Sequence, residues 1–333
     1  MQNPLVSILI PFKNTEAFIG QCVNSILKQT YTNWELLIVD DNSTDTSFNI
    51  VNAFADDRIT LLKNAGNGII DALRLAFKSS KGELITRMDS DDIMSPNKLQ
   101  VLVDGLLKHG KQHVALGLVN YFSETGIKDG YKNYEIWLNT LTKTGHNYSE
   151  IYKECVIPSP CWMLFRDDLI ACNAFNPNTY PEDYDLAFRF YKHGFTCIPC
   201  NETIHNWRDY SSRASRTDEH YAENHFIPLK LNYFLELDFN PNKTLVLWGA
   251  GNKGKTIAKY LIKNKIKFEW ICDNPNKIGH DIYGKIIKPI TFLKLVKTTQ
   301  SIVTVANKTA QIEILDYLKK LEKKNIEDYV FFC

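Results

Sequence analysis

The chain has 333 residues, which is too long for one small hydrophobic core and suits two domains of roughly 100–200 residues each. With 39 basic and 38 acidic side chains and 44% apolar residues, it has the composition of an ordinary globular protein, which argues against broad nucleic-acid binding. No apolar run approaches the ~18 residues of a membrane-spanning helix, and the first residues lack the basic segment of a signal peptide. We therefore expect a cytoplasmic protein whose eight cysteines are mostly buried thiols.

Short β-branched runs alternate with segments of helical periodicity between residues 6 and 88, the pattern of strands joined by helical crossovers in a mostly parallel α/β sheet. The runs predict strands at 6–12, 34–39, 59–63 and 84–88, with helices at 17–28 and 44–54 between them. A further helix is predicted from Ser95 and Pro96, because serine caps helices and proline suits the first turn. In such a sheet, ligands bind at the carboxyl ends of the strands.

The second half of the chain indicates a change of architecture. After a predicted strand at 114–121, the stretch 124–147 shows no clean period and predicts loops with a short helix over one face, where substrate contacts are expected. A polar, proline-bearing segment at 237–243 precedes a new strand at 244–248. We therefore predict a first domain at 1–237 and a smaller α/β domain at 244–333.

Two acidic clusters follow predicted strands of the first domain, one at 40–45 and the other at 89–92. Carboxylates packed this closely repel one another unless a cation or hydrogen-bond donors compensate them. Oxygen ligands suit Mg²⁺ or Mn²⁺, which bind through one or two carboxylates together with substrate phosphates. A lone aspartate pair is more often a solvated turn, but two clusters on strand edges favour a metal site.

Four ordered motifs resemble family 2 of the glycosyltransferases, which have the GT-A fold: VSILIPFKN at 6–14, SILKQT at 25–30, ELLIVDDNSTD at 35–45 and RMDSDD at 87–92. The resemblance extends over about 6–234 and includes PEDYDLAFR at 181–189. It implies transfer of a sugar from a nucleotide diphosphate donor, with a preference for UDP-sugars, to the hydroxyl of a sugar or lipid-linked saccharide. The expected process is synthesis of a cell-surface polysaccharide or glycolipid.

The resemblance also implies a set of donor-binding residues. Asp41 would accept the N–H of the base, and the rest of the set comprises Pro11, Phe12, Asn14, Gly68, Arg74 and Arg87. Arg74 stands where many relatives carry asparagine, and its guanidinium would pair with a donor phosphate, pair with Asp89 or face solvent.

Metal binding is expected at Asp89, Asp91 and Asp92, with Asp89 in contact with either the ribose or the cation. His205 is a candidate for a further metal ligand, the alternative being an ordinary buried or exposed histidine. The segment 205–216 carries three arginines, Arg208, Arg213 and Arg216, that would close over the diphosphate.

Asp183, with Glu182 beside it, matches the acidic pair that supplies the base in the family. The alternative is that both acids only complement a helix dipole. One base opposite the leaving group implies direct displacement with inversion. The segment 158–166 resembles the acceptor side of relatives, so Trp162 is a candidate platform for a sugar, although a lone tryptophan is more often a core residue.

In the second domain, Gly249, Gly251 and Gly254 follow a predicted strand and open a helix, and Asp273 lies 273 − 251 = 22 positions after the second glycine. This context fits a dinucleotide fingerprint, and the run that follows resembles small Rossmann-like modules appended to sugar-modifying bacterial proteins. We expect a nucleotide site or a packing or homodimer unit. The late lysines 319, 320, 323 and 324 indicate either a solvated face or peripheral contact with an anionic membrane.

Two rival functions differ in class from a glycosyltransferase. The C-terminal fingerprint alone would support an NAD-dependent oxidoreductase. The donor motifs alone would also suit a non-catalytic sugar-nucleotide binding protein, although the acidic runs at 89–92 and 182–183 favour catalysis.

Overall fold

The computed structural model describes residues 3–211, 213 and 226–333. The chain divides into two compact units, one formed by 1–147 with 156–217 and the other by 148–155 with 218–333. The predicted boundary at 237–244 differs from this division, because the second unit begins earlier and takes in the separate segment 148–155. Neither the earlier start of the second unit nor its separate segment 148–155 has a local sequence signal, because each depends on which hydrophobic core the segment packs against.

Within the described residues, eight strands form the sheet of the first unit: β1 (Val6–Phe12), β2 (Trp34–Asp40), β3 (Ile59–Lys63), β4 (Leu84–Arg87), β5 (Ile93–Met94), β6 (His113–Phe122), β7 (Trp162–Phe165) and β8 (Thr196–Arg208). Their order is β3-β2-β1-β4-β7-β6-β8-β5. The first four in this order are parallel, whereas β7 runs antiparallel to both neighbours. The predicted strands of this unit are confirmed.

Helices cover this sheet: α1 (Ile19–Leu27), α2 (Ser47–Asn52), α3 (Ile69–Ser79), α4 (Lys98–His109), α5 (Asp129–Thr144), α6 (Arg166–Ala171) and α7 (Glu182–Lys192). α3 packs against β1 and β2, while α4 packs against β6 and β8. Every residue of β1 is buried, which explains its continuous apolar run. The layers leave the carboxyl edge of the central strands as the place where loops meet.

The helix α5 corrects the prediction of loops with a short helix at 124–147. Tyr131, Tyr134, Leu138 and Leu141 recur at helical spacing and are partly or fully buried. Half of this stripe is tyrosine, and lysine and asparagine lie between its members, so it lacks the aliphatic period of an ordinary amphipathic helix.

In the second unit, the strands are β9 (Thr244–Trp248), β10 (Glu269–Cys272), β11 (Asp281–Ile282), β12 (Lys285–Pro289), β13 (Thr299–Val303) and β14 (Tyr329–Phe331), in the order β11-β12-β10-β9-β13-β14. All neighbours are parallel except β11 and β12. The helices are α8 (Phe226–Tyr233), α9 (Asn252–Lys263) and α10 (Lys308–Lys320). Across the described ranges, no helix is long and apolar enough to cross a membrane.

Candidate active site

The two acidic clusters lie at one edge of the first sheet. β2 ends at Asp40 and is followed by Asp41, while the run 89–92 follows β4, and both strands pair in parallel with β1. The Asp41 N–H donates to the Phe12 carbonyl at 2.8 Å, which fixes the end of β2 beside the end of β1. The predicted placement of both clusters at the carboxyl edge is therefore confirmed.

Asp41 is 5% exposed and is held by the loop before α3. Its Oδ1 accepts from the Asn64 amide at 2.7 Å and from the Gly68 N–H at 2.9 Å. Gly68 has a φ of +92°, and a Cβ at this position would lie 3.1 Å from the Tyr180 hydroxyl, so this turn favours glycine. The carboxylate is preorganised, and Asn64 is a contributor that the sequence reasoning missed although the run NAGNG at 64–68 signals a tight turn.

The end of β1 contributes its backbone and the Asn14 side chain to this edge of the sheet. Pro11 and Phe12 are buried in the strand, and the Phe12 ring is 2% exposed within the hydrophobic core. The Phe12 side chain is therefore part of the core, and the place of Phe12 in the donor-binding set stays a prediction. Asn14 has a φ of +52°; its Oδ1 accepts from the Thr44 N–H at 2.8 Å, and its own N–H donates to Ser43 Oγ at 3.1 Å. Asn14 therefore joins the ends of β1 and β2.

Arg87 connects the acidic run at 89–92 to the acidic pair at 182–183. It is 5% exposed; Nη2 lies 3.1 Å from Asp89 Oδ1, and Nη1 lies 3.0 Å from Glu182 Oε1. A guanidinium is planar and offers several donors, so it holds two carboxylates in a fixed relation where an ammonium would not. The turn after β4 and the start of α7 are therefore neighbours, although 95 positions separate Arg87 from Glu182.

Asp89 and Asp91 are the carboxylates of this turn that retain some exposure, 20% for the Asp89 side chain and 9% for Asp91. Asp91 Oδ2 accepts from the Tyr210 hydroxyl at 2.9 Å. Burial, with the charges of Asp92 and Asp89, raises the pKa of Asp91 to about 7. Carboxylate oxygens of this kind fit Mg²⁺ or Mn²⁺, which proteins usually bind through one or two carboxylates together with substrate phosphates.

Asp92 and His205 lie behind the turn rather than at its surface. Neither side chain is exposed, and His205 Nε2 lies 3.0 Å from Asp92 Oδ2. Nδ1 of His205 lies 3.3 Å from Lys98 Nζ, while Asp92 Oδ1 accepts from the Arg208 N–H at 2.7 Å. Burial and the Lys98 charge lower the pKa of His205 well below its usual range, so the ring is neutral. Both assignments as metal ligands are corrected, because neither side chain reaches the surface that a donor would contact.

Two of the three arginines expected to close over the diphosphate are buried. Arg208 and Arg213 are each 7% exposed, and Arg208 Nε donates to the Asp91 carbonyl at 2.7 Å. Burial opposes the charge of Arg213, but the charges of Asp92 and Asp91 outweigh it and raise the Arg213 pKa. Arg208 therefore fixes the backbone of the acidic turn and Arg213 compensates its charge, while Arg216 lies outside the described residues.

The structure distinguishes Asp183 from its neighbour. Glu182 is 7% exposed and occupied by Arg87, whereas Asp183 is half-buried, and its Oδ1 accepts from the Tyr184 N–H at 2.7 Å. Burial and the charge of Glu182 raise the pKa of Asp183 to about 7, against the smaller opposing effect of Arg87. A carboxylate with such a pKa is suited to general base chemistry near neutral pH.

Trp162 is a core residue of β7. It is 2% exposed, and its ring meets Phe190 edge to face with centroids 6.0 Å apart. Its carbonyl accepts from the Thr86 hydroxyl at 2.6 Å across the sheet. This burial corrects its assignment as a stacking platform for the acceptor.

Arg74 organises a loop. Its Nη1 lies 2.7 Å from Asp71 Oδ1, and its Nε donates to the Phe175 carbonyl at 2.8 Å. Nη2 donates to the Asn176 carbonyl and to the Asn178 side chain, which ties α3 to residues 175–178. Of the three predicted alternatives, pairing with Asp89 is wrong, since these partners occupy the guanidinium.

In the second unit, the glycine turn follows β9 and opens α9. Gly249 has a φ of +115°, and a Cβ on Gly254 would lie 2.1 Å from the Gly249 carbonyl oxygen, so this turn requires both glycines. Space around Gly251 is open, with nothing within 4 Å of a built Cβ. Asp273 is exposed directly after β10.

Residues 7–172 match the family described as glycosyl transferase family 2. Over 252 residues the chain is 33% identical to the Escherichia coli UDP-Glc:alpha-D-GlcNAc-diphosphoundecaprenol beta-1,3-glucosyltransferase WfgD, covering 73% of this chain and 89% of that protein.

Solved structures share the fold. S. aureus TarS 1-349 in complex with UDP-GlcNAc aligns with a TM-score of 0.54 at 17% identity over 77% of this chain and 71% of that chain. Mannosyltransferase PcManGT from Pyrobaculum calidifontis in complex with GDP-Man and Mn²⁺ aligns with a TM-score of 0.51 at 17% identity, over 71% and 64%. With the ordered motifs and the acidic edge of the sheet, these similarities show that the chain is an enzyme of family 2 of the glycosyltransferases and has the GT-A fold.

Proposed function

We propose that the protein is an inverting glycosyltransferase that moves a sugar from a UDP-sugar to a hydroxyl of a lipid-linked saccharide during synthesis of a cell-surface polysaccharide or glycolipid. The ion pairs of Arg87 with Asp89 and Glu182 carry the proposal, because they join a donor motif to a base motif at one edge of the sheet. WfgD, by its name, transfers glucose from UDP-Glc to a GlcNAc-diphosphoundecaprenol, which supports this class of donor and acceptor.

The donor half of the site is built on the ends of β1 and β2. Asp41, oriented by Asn64 and Gly68, accepts the N–H of the uracil base, and Asn14 with the backbone at Pro11 and Phe12 fixes the surrounding turns. Asp89 and Asp91 would hold Mn²⁺ or Mg²⁺ on the donor diphosphate, where the cation supplies Lewis-acid stabilisation of the leaving group. Arg213 adds positive charge to this carboxylate group.

In the transfer step, Asp183 removes the proton of the acceptor hydroxyl. The acceptor oxygen forms a bond to the anomeric carbon as the bond from that carbon to UDP breaks, and the bonding electron pair leaves with the diphosphate. Glu182 Oε1 instead pairs with Arg87 Nη1 at 3.0 Å, which leaves Asp183 as the proposed base. A single base on the side opposite the leaving group gives inversion.

A screen of UDP-, GDP- and ADP-sugars by melting temperature, in Mn²⁺ or in EDTA, tests this function. UDP-sugars are expected to raise the Tm in Mn²⁺ and to lose most of this effect in EDTA, because a ligand that binds only the native state stabilises it. Stabilisation by GDP-sugars alone would contradict the uridine preference. No shift with any sugar nucleotide would contradict the glycosyltransferase assignment.

For the second unit, we propose a Rossmann-like module with a nucleotide site at Gly249, Gly251, Gly254 and Asp273. The order of its parallel strands supports this, because the chain leaves β9 for β10 on one side and reaches β13 on the other, and the glycine turn lies at this point of reversal. The role we favour is binding without redox chemistry.

Gly251→Val tests the module. Gly251 has a φ of −81°, so valine fits the backbone and is expected to leave the melting temperature nearly unchanged while it blocks the open space beside the turn. Calorimetric titrations with NAD⁺ and with UDP-GlcNAc are expected to show one binding event that the variant loses. This event is separate from metal-dependent donor binding in the first unit, which the substitution Asp91→Asn is expected to weaken. Identical titrations for the variant and the wild type would remove the nucleotide site, and NADH formation with alcohols would favour the oxidoreductase.

A further inference from the structure

Lys98, in the first turn of α4, has no exposed surface. Lysine is almost never fully buried, because moving an ammonium out of water costs several kcal/mol unless partners compensate it. Burial lowers the pKa of Lys98, so its ammonium form depends on the partners around it.

The Lys98 ammonium joins two segments that are distant in sequence. Nζ donates to the Pro160 carbonyl at 2.5 Å and lies 3.3 Å from His205 Nδ1. Pro160 belongs to the segment 158–166, which leads into β7 and resembles the acceptor side of relatives. His205 lies on β8 and contacts Asp92.

The ammonium form of Lys98 sets the direction of these contacts. An ammonium can only donate, so His205 Nδ1 accepts and the proton of the neutral ring resides on Nε2. Nε2 then donates to Asp92 Oδ2 at 3.0 Å, and the Arg208 N–H occupies Oδ1. A continuous chain of hydrogen bonds thus runs from the Pro160 carbonyl through Lys98 and His205 to the residue that follows Asp91.

We propose that Lys98 is a positioning residue of the transfer reaction, which orients the turn 89–92 through His205 and Asp92 and the acceptor-side segment through the Pro160 carbonyl. Lys98 touches no substrate, because it has no exposed surface. Its effect on donor binding rests on the proposed function, whereas the hydrogen-bond chain does not. Partners that orient metal ligands typically change metal affinity about 10–100-fold when they are removed.

Lys98→Met removes the ammonium and keeps the length of the side chain. The matched control is Lys230→Met, since Lys230 is likewise buried, at 4% exposed in the second unit, and its Nζ donates to the carbonyls of Lys153 at 3.0 Å and Phe332 at 3.1 Å. Both variants are expected to unfold at lower urea concentration, but Lys98→Met alone is expected to raise the Kd for UDP in Mn²⁺ about tenfold or more. Equal Kd values for the two variants would overturn the proposal.

Substitutions of His205 test the same chain if Lys98→Met does not fold. Glutamine can accept from Lys98 and donate to Asp92, whereas leucine can do neither. His205→Gln is therefore expected to bind UDP in Mn²⁺ about tenfold more tightly than His205→Leu. Equal affinities would mean that His205 only fills space.

Nitrogen-15 NMR of the histidine rings separates this inference from the proposed function. The wild-type protein without ligands is expected to show His205 as the neutral Nε2–H tautomer near pH 7, and Lys98→Met is expected to shift the Nδ1 resonance. A proton on Nδ1 would overturn the chain whether or not the protein transfers sugar. The expected tautomer in a protein that binds no UDP in Mn²⁺ would instead refute the proposed function.

Discussion

Asp183→Asn is expected to lower kcat by about 10²–10⁴, because general base catalysis contributes roughly this factor and the amide cannot take the acceptor proton. The Kd for UDP in Mn²⁺ should stay nearly unchanged, since Asp183 belongs to the acceptor half of the proposed site. Asp91→Asn should show the opposite division, with metal-dependent UDP binding weakened first. Initial rates and calorimetry on both variants measure the division, and equal losses of donor affinity would contradict the assigned roles.

The control for Asp183 is Asp185→Asn on the same helical turn. Asp185 is 4% exposed and pairs with Arg189 at 2.8 Å, so its loss affects the stability of α7 and its dipole interaction without touching the proposed base. If acids here only complement the helix dipole, both variants should lose stability and keep kcat per folded molecule. A fall of kcat in Asp183→Asn alone would identify the base.

The pH dependence offers a further check on Asp183. Its pKa of about 7 implies that kcat/KM falls as the pH drops below this value, because the base must be ionised. Stability should change in the opposite sense: raised pKa values of Asp91 and Asp183 mean that the folded protein without metal binds more protons than the unfolded chain. Their contribution therefore stabilises the protein as the pH falls from about 7 towards 4, and activity lost there without unfolding, at a Mn²⁺ concentration that still saturates the enzyme, would point to protonation of the base.

Arg87→Leu is expected to lower the free energy of unfolding by about 3–5 kcal/mol, because it breaks a buried ion pair between Arg87 and Glu182. Arg87→Lys should retain more stability, yet an ammonium cannot hold Asp89 and Glu182 in the geometry of a planar guanidinium. We therefore expect the lysine variant to fold and to lose both donor affinity and kcat. Urea unfolding, calorimetry and initial rates provide the three measurements.

Arg189→Leu is the matched control for Arg87. Arg189 is 9% exposed and pairs with Asp185, and its Nη1 donates to the carbonyls of Cys172 and Ala174, so the variant should be destabilised to a similar degree. It lies outside the proposed site, and its kcat per folded molecule should match the wild type. An Arg87→Leu protein as stable as the wild type would contradict the bridging role.

The sequence by itself determined the strands of the parallel core and the edge where the chemistry lies. β1 and β3 have the predicted bounds, because strands covered on both faces or flanked by clear turns carry uninterrupted apolar or β-branched runs. The acidic runs after β2 and β4 lie at one edge, as parallel pairing of both strands with β1 requires. Such features follow from local periodicity and from the direction of neighbouring strands.

Only the tertiary structure decided which acidic and polar residues face the site and which lie behind it. Asp92 looks equivalent to Asp91 in the sequence, yet its partner His205 is 113 positions away and the partner of His205, Lys98, is 107 positions away. Trp162 likewise became a core residue through packing against Phe190. The physical reason is that burial of a charge or a ring depends on partners from distant segments, and local sequence patterns do not encode those partners.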